Sequence, residues 1–343
     1  MEKIKEREVW VDGVKGIACI LVVCGHFFQS MVKAGIYPES SLYLWFNRTV
    51  YCFHVPLFFI CSGYLYQKCS RVEDFDRWKT HVLKKALALG IPYFTFSTVT
   101  WILKTLFSGS VNEEIGGLPA TLFLMPTSPY WYLYCLFFVF LITPTFKTRG
   151  IAIGFTAMAW AFKAISLFWG GSSIYAVSSV FSNEIWFVGG MCLCLIDIRE
   201  KISEKAGGVS AIMGVLFFAL SIFVFMKDIG SASMDFLLGM IACAAIVIGF
   251  ISLYTNRKKN RVFVIAKFSF PIFLMHTLFA APIRIILMKA GIMNPIVHTF
   301  MGIGLSFVGP IIAAEIMQEV GHLDFLLYPS RYVKRGRRRK GYE

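Results

Sequence analysis

The sequence is 343 residues long, 57% hydrophobic and 16% charged, with a formal net charge of +14. A soluble domain carries about a quarter of its residues as charges, so this chain lacks the polar surface to coat a water-facing globule. Nor does the basic excess read as a nucleic-acid surface, because Lys and Arg lie between apolar runs rather than on one amphipathic face.

The apolar residues fall into ten predicted spans: 14–34, 46–66, 86–107, 129–146, 151–169, 179–197, 209–226, 235–254, 266–288 and 297–318. Most are near the length that crosses a ~30 Å hydrocarbon core as helix. The expected fold class is therefore all-α, a polytopic membrane bundle of about ten transmembrane helices. It is read as one domain over 1–343, with an N-terminal segment 1–13 and a basic tail 319–343.

Span one holds His26 and has no small-residue cleavage site, so it reads as a retained helix and not a signal peptide. Asp12 and Lys15 stand at its start. Lys15 and His26 are eleven residues apart, ~1,100° of helix rotation or three turns plus ~20°, which puts them on one face with His26 ~16 Å deeper. Asp12 lies a turn below Lys15 on that face. Gly16, Ala18 and Gly25 let other helices approach closely. A plain positive-inside anchor would explain Lys15 but not His26.

Span two contains His54, Pro56 and Ser62. Pro56 frees the carbonyl of Cys52 and predicts a bend beside His54. Ser62 lies eight residues on, on roughly the same face as His54; alone it reads equally as a packing residue bonded to its own backbone. Lys84 and Lys85 precede span three. The connection near 108–128 carries Gly116, Gly117, Pro119 and Pro126, which break any helix and leave room for a re-entrant segment. Trp45, Tyr130, Trp131 and Trp169 read as an interfacial aromatic belt. His276 falls mid-span in the ninth run. Ionisable groups at that depth are costly and usually face a bundle interior, so His26, His54 and His276 together predict a shared polar site. The nine cysteines fall nearly all inside apolar runs and have no metal-ligand spacing; they read as small hydrophobes, and no metal is expected.

With the N-terminus inside, the alternating connections hold 26 Lys and Arg on the inner side against 7 on the outer, Lys15 aside. The imbalance predicts that both termini are cytoplasmic. The tail's basic cluster is expected to meet anionic lipid headgroups rather than nucleic acid.

No Gly-x-Ser-x-Gly elbow, His-Glu-x-x-His motif, Walker loop or dinucleotide fingerprint occurs. Histidine is the remaining reactive group: as general base it activates a hydroxyl for attack on an acyl carbonyl, or it accepts the acyl group itself. If the donor is a coenzyme A thioester, Lys15, Lys84 and Lys85 are placed to meet its phosphates at the cytoplasmic mouth. The competing class is a transporter or flippase for a glycan or small solute, which also uses midplane polar groups.

The run Asp12-Gly13-Val14-Lys15-Gly16-Ile17-Ala18, followed by Val22-Val23-Cys24-Gly25-His26-Phe27, resembles the opening of the acyltransferase-3 family of membrane acyltransferases. The similarity continues through Phe53 to Tyr64, Ile91-Pro92-Tyr93, Trp131-Tyr132-Leu133, and Ser269 to His276. The resemblance implies transfer of an acyl group, often acetyl, from cytoplasmic acyl-coenzyme A to a hydroxyl of a cell-surface glycan or lipid-linked sugar, in the inner (plasma) membrane. It implies that His26 is the essential residue, base or acyl relay, and that Lys15 helps place the donor. The candidate catalytic set is thus His26, Lys15 and Asp12; the donor-binding set Lys15, Lys84 and Lys85; and the substrate-binding set His54, Ser62 and His276. Two positions depart from the family pattern. Lys15 replaces an arginine and loses its planar fork, and the second basic pair falls on Lys85 and Ala88.

Overall fold

The computed structural model describes residues 8–70, 72, 74–108, 116–202, 206–255 and 264–332. Lys3, Lys5, Arg7, Arg71, Lys205, Arg257, Lys258, Lys259 and Arg261, and the tail cluster from Lys334 to Lys340, lie outside the described residues.

The described residues are helical, with no strand among them. In chain order the helices are α1 Val9–Lys33, α2 Ser41–Tyr51, α3 His54–Cys69, α4 Phe75–Lys85, α5 Ile91–Leu106, α6 Trp131–Ile142, α7 Arg149–Trp169 and α8 Tyr175–Leu195. They continue as α9 Ile198–Lys201, α10 Ala206–Met226, α11 Ala232–Thr255, α12 Val264–Lys267, α13 Ser269–Lys289 and α14 Pro295–Glu319. One π-helical turn, Ala86–Gly90, joins α4 to α5; another, Ala120–Leu124, precedes α6.

Nine helices among the described residues are long and apolar enough to cross a membrane, α2 with α3 and α4 with α5 each counting as one. The fourth predicted span, 129–146, is helical only over the 12 residues of α6. At 1.5 Å per residue α6 is ~18 Å long, short of a ~30 Å hydrocarbon core. Pro144 explains its end, because it disfavours helical geometry at Thr143 and has no N–H to give. Thr143 instead turns its hydroxyl to the buried Glu184 of α8, Oγ1 donating to Oε1 at 2.6 Å.

The bend predicted from Pro56 is a full interruption. α2 closes at Tyr51, Cys52 and Phe53 form a turn, and His54 opens α3. The Cys52 carbonyl, relieved of a helical partner by Pro56, lies where Gly239 of α11 presses in; a Cβ at 239 would stand 2.5 Å from that oxygen.

Two compact units divide the chain: Met1–Gly25 with Glu39–Lys68 and Trp186–Ser269, and His26–Pro38 with Cys69–Ile185 and Phe270–Glu343. In the first unit, buried Glu8 receives the Trp10 indole N–H at 2.9 Å and the Lys68 ammonium, with the Arg199 guanidinium 3.8 Å away. One carboxylate thereby ties together the start of α1, the end of α3 and α9. Helices α3 and α8 meet backbone to backbone through two glycines. A Cβ on Gly63 would lie 1.9 Å from the Phe187 carbonyl oxygen, and one on Gly190 2.0 Å from that of Ile60. Small residues at such crossings are what allow van der Waals packing to hold helices together in lipid.

The second unit is joined by polar contacts between its helices. The Trp78 indole donates to the Leu141 carbonyl at 2.8 Å, fastening α4 to α6. Lys163 Nζ donates to the Ser182 carbonyl at 3.1 Å, and the hydroxyls of Ser166 and Ser182 stand 2.8 Å apart, joining α7 to α8. Phe27, Met31 and Ile36 form an apolar cluster with Met288 and Ile303 around the end of α1.

The glycine crossing gives a paired test. Gly63→Ala and Gly190→Ala are each expected to destabilise the detergent-solubilised protein by about 1–3 kcal/mol or more, since backbone must move to admit the methyl. Gly189→Ala, whose Cβ meets nothing within 4 Å, is expected to leave stability unchanged or raise it by up to ~1 kcal/mol. Equal melting temperatures for all three variants would disprove the close crossing.

Candidate functional site

Helix α1 carries the predicted stripe in one unbroken run. Asp12 and Lys15 are half-buried and belong to the first unit, where the Val11 carbonyl accepts a hydrogen bond from the Cys61 thiol of α3 at 3.9 Å. His26 lies eleven residues further along the same helix, half-buried, and opens the second unit's share of it.

Around His26 the second unit assembles Ser128, His276, Ser30 and Arg284. The Ser128 hydroxyl oxygen is 3.3 Å from His26 Nε2. The His276 ring of α13 stands 5.4 Å from that of His26, centroid to centroid, with the planes 32° apart. His276 is 1% exposed, and its Nδ1 is 3.0 Å from the carbonyl oxygens of both Ile272 and Phe273. Two carbonyl acceptors fix the proton on Nδ1. Nε2 is then the lone-pair nitrogen, and it has no hydrogen-bond partner. One turn beyond His26, Ser30 accepts from the buried Arg284 of α13, NH1 reaching its carbonyl at 3.1 Å and its hydroxyl at 2.6 Å. The α1–α13 pairing that aligns the two histidines is thus pinned on one side by a charged hydrogen bond.

Ser128 lies in the turn after the π-helical segment Ala120–Leu124. The expectation that Gly116, Gly117, Pro119 and Pro126 break any helix here is thus corrected: Pro119 opens the π-helical turn, because a proline at a helix start gives up no needed N–H. Backbone carbonyls outside a regular helix need donors from elsewhere in the protein. Aromatic side chains supply them here. Trp101 donates to the Gly116 carbonyl at 2.8 Å, Tyr93 to Leu122 at 2.7 Å and Tyr134 to Phe123 at 2.7 Å. Tyr130, with no exposed surface, donates to the Leu274 carbonyl of α13 at 3.0 Å. Its oxygen lies 2.8 Å from Thr100 Oγ1 of α5, so Thr100 is the donor to it. The belt role expected for Tyr130 is therefore wrong: it is a buried clamp between α5 and α13. Trp169, 75% exposed, has the exposure a belt residue needs.

His54 belongs to the first unit and is buried, with Nδ1 2.8 Å from the Val50 carbonyl and the Tyr51 ring edge-on at 4.6 Å. Tyr51 in turn packs on Gly25, where a Cβ would lie 3.1 Å from its ring. Ser62 is half-buried on α3. Lys84, at the end of α4, is exposed; Lys85 is half-buried with its ammonium 3.6 Å from the Phe140 ring centroid, a cation–π contact. Of the three mid-span histidines, the structure unites His26 and His276 in one unit. Among the described residues no group of three or more His, Cys, Asp or Glu is arranged to hold a metal ion.

Sequence reasoning missed Ser128, Thr100 and the role of Tyr130. The one signal available was the density of Pro and Gly in a segment flanked by apolar runs, which marks irregular backbone but not its destination.

The chain matches the acyltransferase domain of the acyltransferase-3 family over residues 8–315. It is 29% identical over 168 residues to nodulation protein NolL of Mesorhizobium japonicum, an overlap of 47% of this chain and 43% of that protein. It is 33% identical over 144 residues to NolL of Sinorhizobium fredii, covering 41% of this chain and 37% of the relative. The inner membrane protein YcfT of Escherichia coli is 21% identical over 267 residues, 66% of this chain and 70% of that protein. The chain thus spans less than half the length of the two nodulation proteins. No solved structure matches it.

The clamp has a measurable worth. Tyr130→Phe strips Leu274 and Thr100 of a partner at once and is expected to cost about 1–3 kcal/mol. Thr100→Ala, which leaves the Tyr130–Leu274 bond in place, is expected to cost about 0.5–1.5 kcal/mol. Thermal unfolding of the two variants in detergent would show the difference; equal and negligible losses would remove the clamp.

Proposed function

The chain belongs to the acyltransferase-3 family, and from that premise we propose that it is a membrane acyltransferase using His26 as general base. The acyl group, acetyl in the simplest case, passes from acyl-coenzyme A to a hydroxyl of a cell-surface glycan or lipid-linked sugar. One observation carries the reading. His26 presents Nε2 to a hydroxyl at 3.3 Å, in a half-buried position, which is the arrangement a base needs to take a proton from an attacking alcohol.

His276 supports the same chemistry. Its Nε2 is fixed as a lone-pair acceptor enclosed beside His26, and on this reading it shares a proton with the acceptor's site or orients the acceptor once substrate displaces its cover. On this reading the N- and C-termini face the cytoplasm, and Asp12 and Lys15 stand at the donor end of α1. Lys15, Lys84 and Lys85 supply positive charge for the donor's phosphates; Lys84 is the more available of the adjacent pair, since Lys85 rests on Phe140. His54 and Ser62 of α3 are proposed to take part in binding the acceptor. The relative named as an inner membrane protein supports placing this chain in the same membrane.

His26→Ala is the direct test. The variant is expected to insert and fold like the wild type, judged by monodispersity in detergent, while acyl transfer from radiolabelled acetyl-coenzyme A falls on the order of 10²-fold or more. Undiminished labelling of cell-surface material by His26→Ala would disprove the assignment. A wild type that neither transfers nor hydrolyses any acyl-coenzyme A would instead favour a transporter.

A further inference from the structure

The partner of His26 is a second chemical group, not a passive neighbour. Ser128 is exposed, yet it is set between buried Pro126 on one side and buried Pro129 and Tyr130 on the other. Tyr130 is tied to Thr100 of α5 and Leu274 of α13. The backbone that bears Ser128 is thus fixed to the helix that bears His276, while its hydroxyl stays open to a substrate. A serine hydroxyl in reach of an imidazole, held by an anchored backbone and accessible from outside, is the minimal form of an activated nucleophile. The 3.3 Å separation is a little longer than the usual reach in a bound complex, as is common where no substrate is present.

We propose that Ser128 is the acyl carrier of this enzyme, so that the reaction runs through an acyl-serine ester. The proposal rests on the acyl-transfer reading above and deepens it. In the first half, His26 Nε2 takes the proton of the Ser128 hydroxyl as Oγ attacks the thioester carbonyl. The new C–O bond forms, the C–S bond breaks, and the leaving thiolate receives the proton from the His26 imidazolium, releasing coenzyme A as the thiol. In the second half, His26 takes the proton of the acceptor hydroxyl, which attacks the acyl-serine carbonyl. The bond to Ser128 Oγ breaks, and the serine oxygen recovers a proton from His26. The cycle is redox-neutral and returns every group to its starting state. It also removes the need for donor and acceptor to occupy the site together.

The test uses the full-length protein purified in detergent. It is mixed with radiolabelled acetyl-, succinyl- or palmitoyl-coenzyme A without an acceptor and quenched in acid. Protein-bound label is expected with one of these donors, released by hydroxylamine and mapped by mass spectrometry to the peptide containing Ser128. His26→Ala and Ser128→Ala are both expected to lose the label, and Ser128→Ala to lose acyl transfer on the order of 10²-fold or more. Ser128→Cys guards against a folding defect, since a thiol in the same place is expected to take the label as a thioester and to hold it longer. Transfer by Ser128→Ala at the wild-type rate, or label mapping to His26, would overturn the carrier while leaving the acyltransferase reading intact. A wild type that takes no label from any of the three donors would overturn the carrier, and one that also neither transfers nor hydrolyses them would overturn both.

Discussion

The site depends on how the backbone carbonyls ahead of α6 are satisfied. A buried carbonyl left unpaired costs about 1–3 kcal/mol, so an irregular connection packed on a bundle brings donors to it. Here the donors are aromatic: the indole of Trp101 and the hydroxyls of Tyr93 and Tyr134 meet carbonyls of the segment 116–124. Tyr130 then turns outward from the segment and bonds to α13. Such side chains combine an apolar body with one polar atom, which suits them to an apolar bundle that contains non-helical chain. Ser128 is delivered to His26 by this arrangement.

The two neighbouring histidines differ in ways their sequence contexts do not reveal. His276 is enclosed and its Nδ1 proton is committed to two carbonyls of its own helix. His26 is half-buried and directs Nε2 at a hydroxyl. One ring is held in a single tautomer; the other is placed where proton exchange with a substrate is possible. On the proposed reading this divides the work, with His26 moving protons and His276 orienting. Arg284, bonded to Ser30, keeps α1 and α13 in the register that the division requires.

Much of this was legible in the amino-acid sequence. The apolar runs marked the spans closely: 151–169 became Arg149–Trp169 and 266–288 became Ser269–Lys289. His26 and His276 stood out as ionisable residues in apolar runs, and they do meet. The run over 129–146 misled, because hydropathy registers apolar residues and not whether Pro144 lets them stay helical. Pro56 pointed to a bend, but its depth depended on Gly239, some 180 residues away in the chain. Ser128 was invisible for a related reason: its role comes from a tertiary clamp, and a Pro-bounded serine looks like any turn residue. Tyr130 was misread because burial is a property of the packed bundle, not of the local sequence. His54, equally conspicuous in sequence, lies in the first unit, against Tyr51.

The α3–α8 crossing has a consequence for how the sequence is free to vary. Gly63 presses on the Phe187 carbonyl and Gly190 on that of Ile60, so each glycine is the mould for the other helix's backbone. A side chain at one position requires the opposite helix to be carved back, and no residue is smaller than the glycine already there. The pair therefore behaves as one inherited unit spread over two distant stretches of chain. Gly239 and Pro56 stand in the same relation through the Cys52 carbonyl. Drift through sequence space at these sites has to be concerted, whereas the lipid-facing leucines and phenylalanines can be exchanged one at a time.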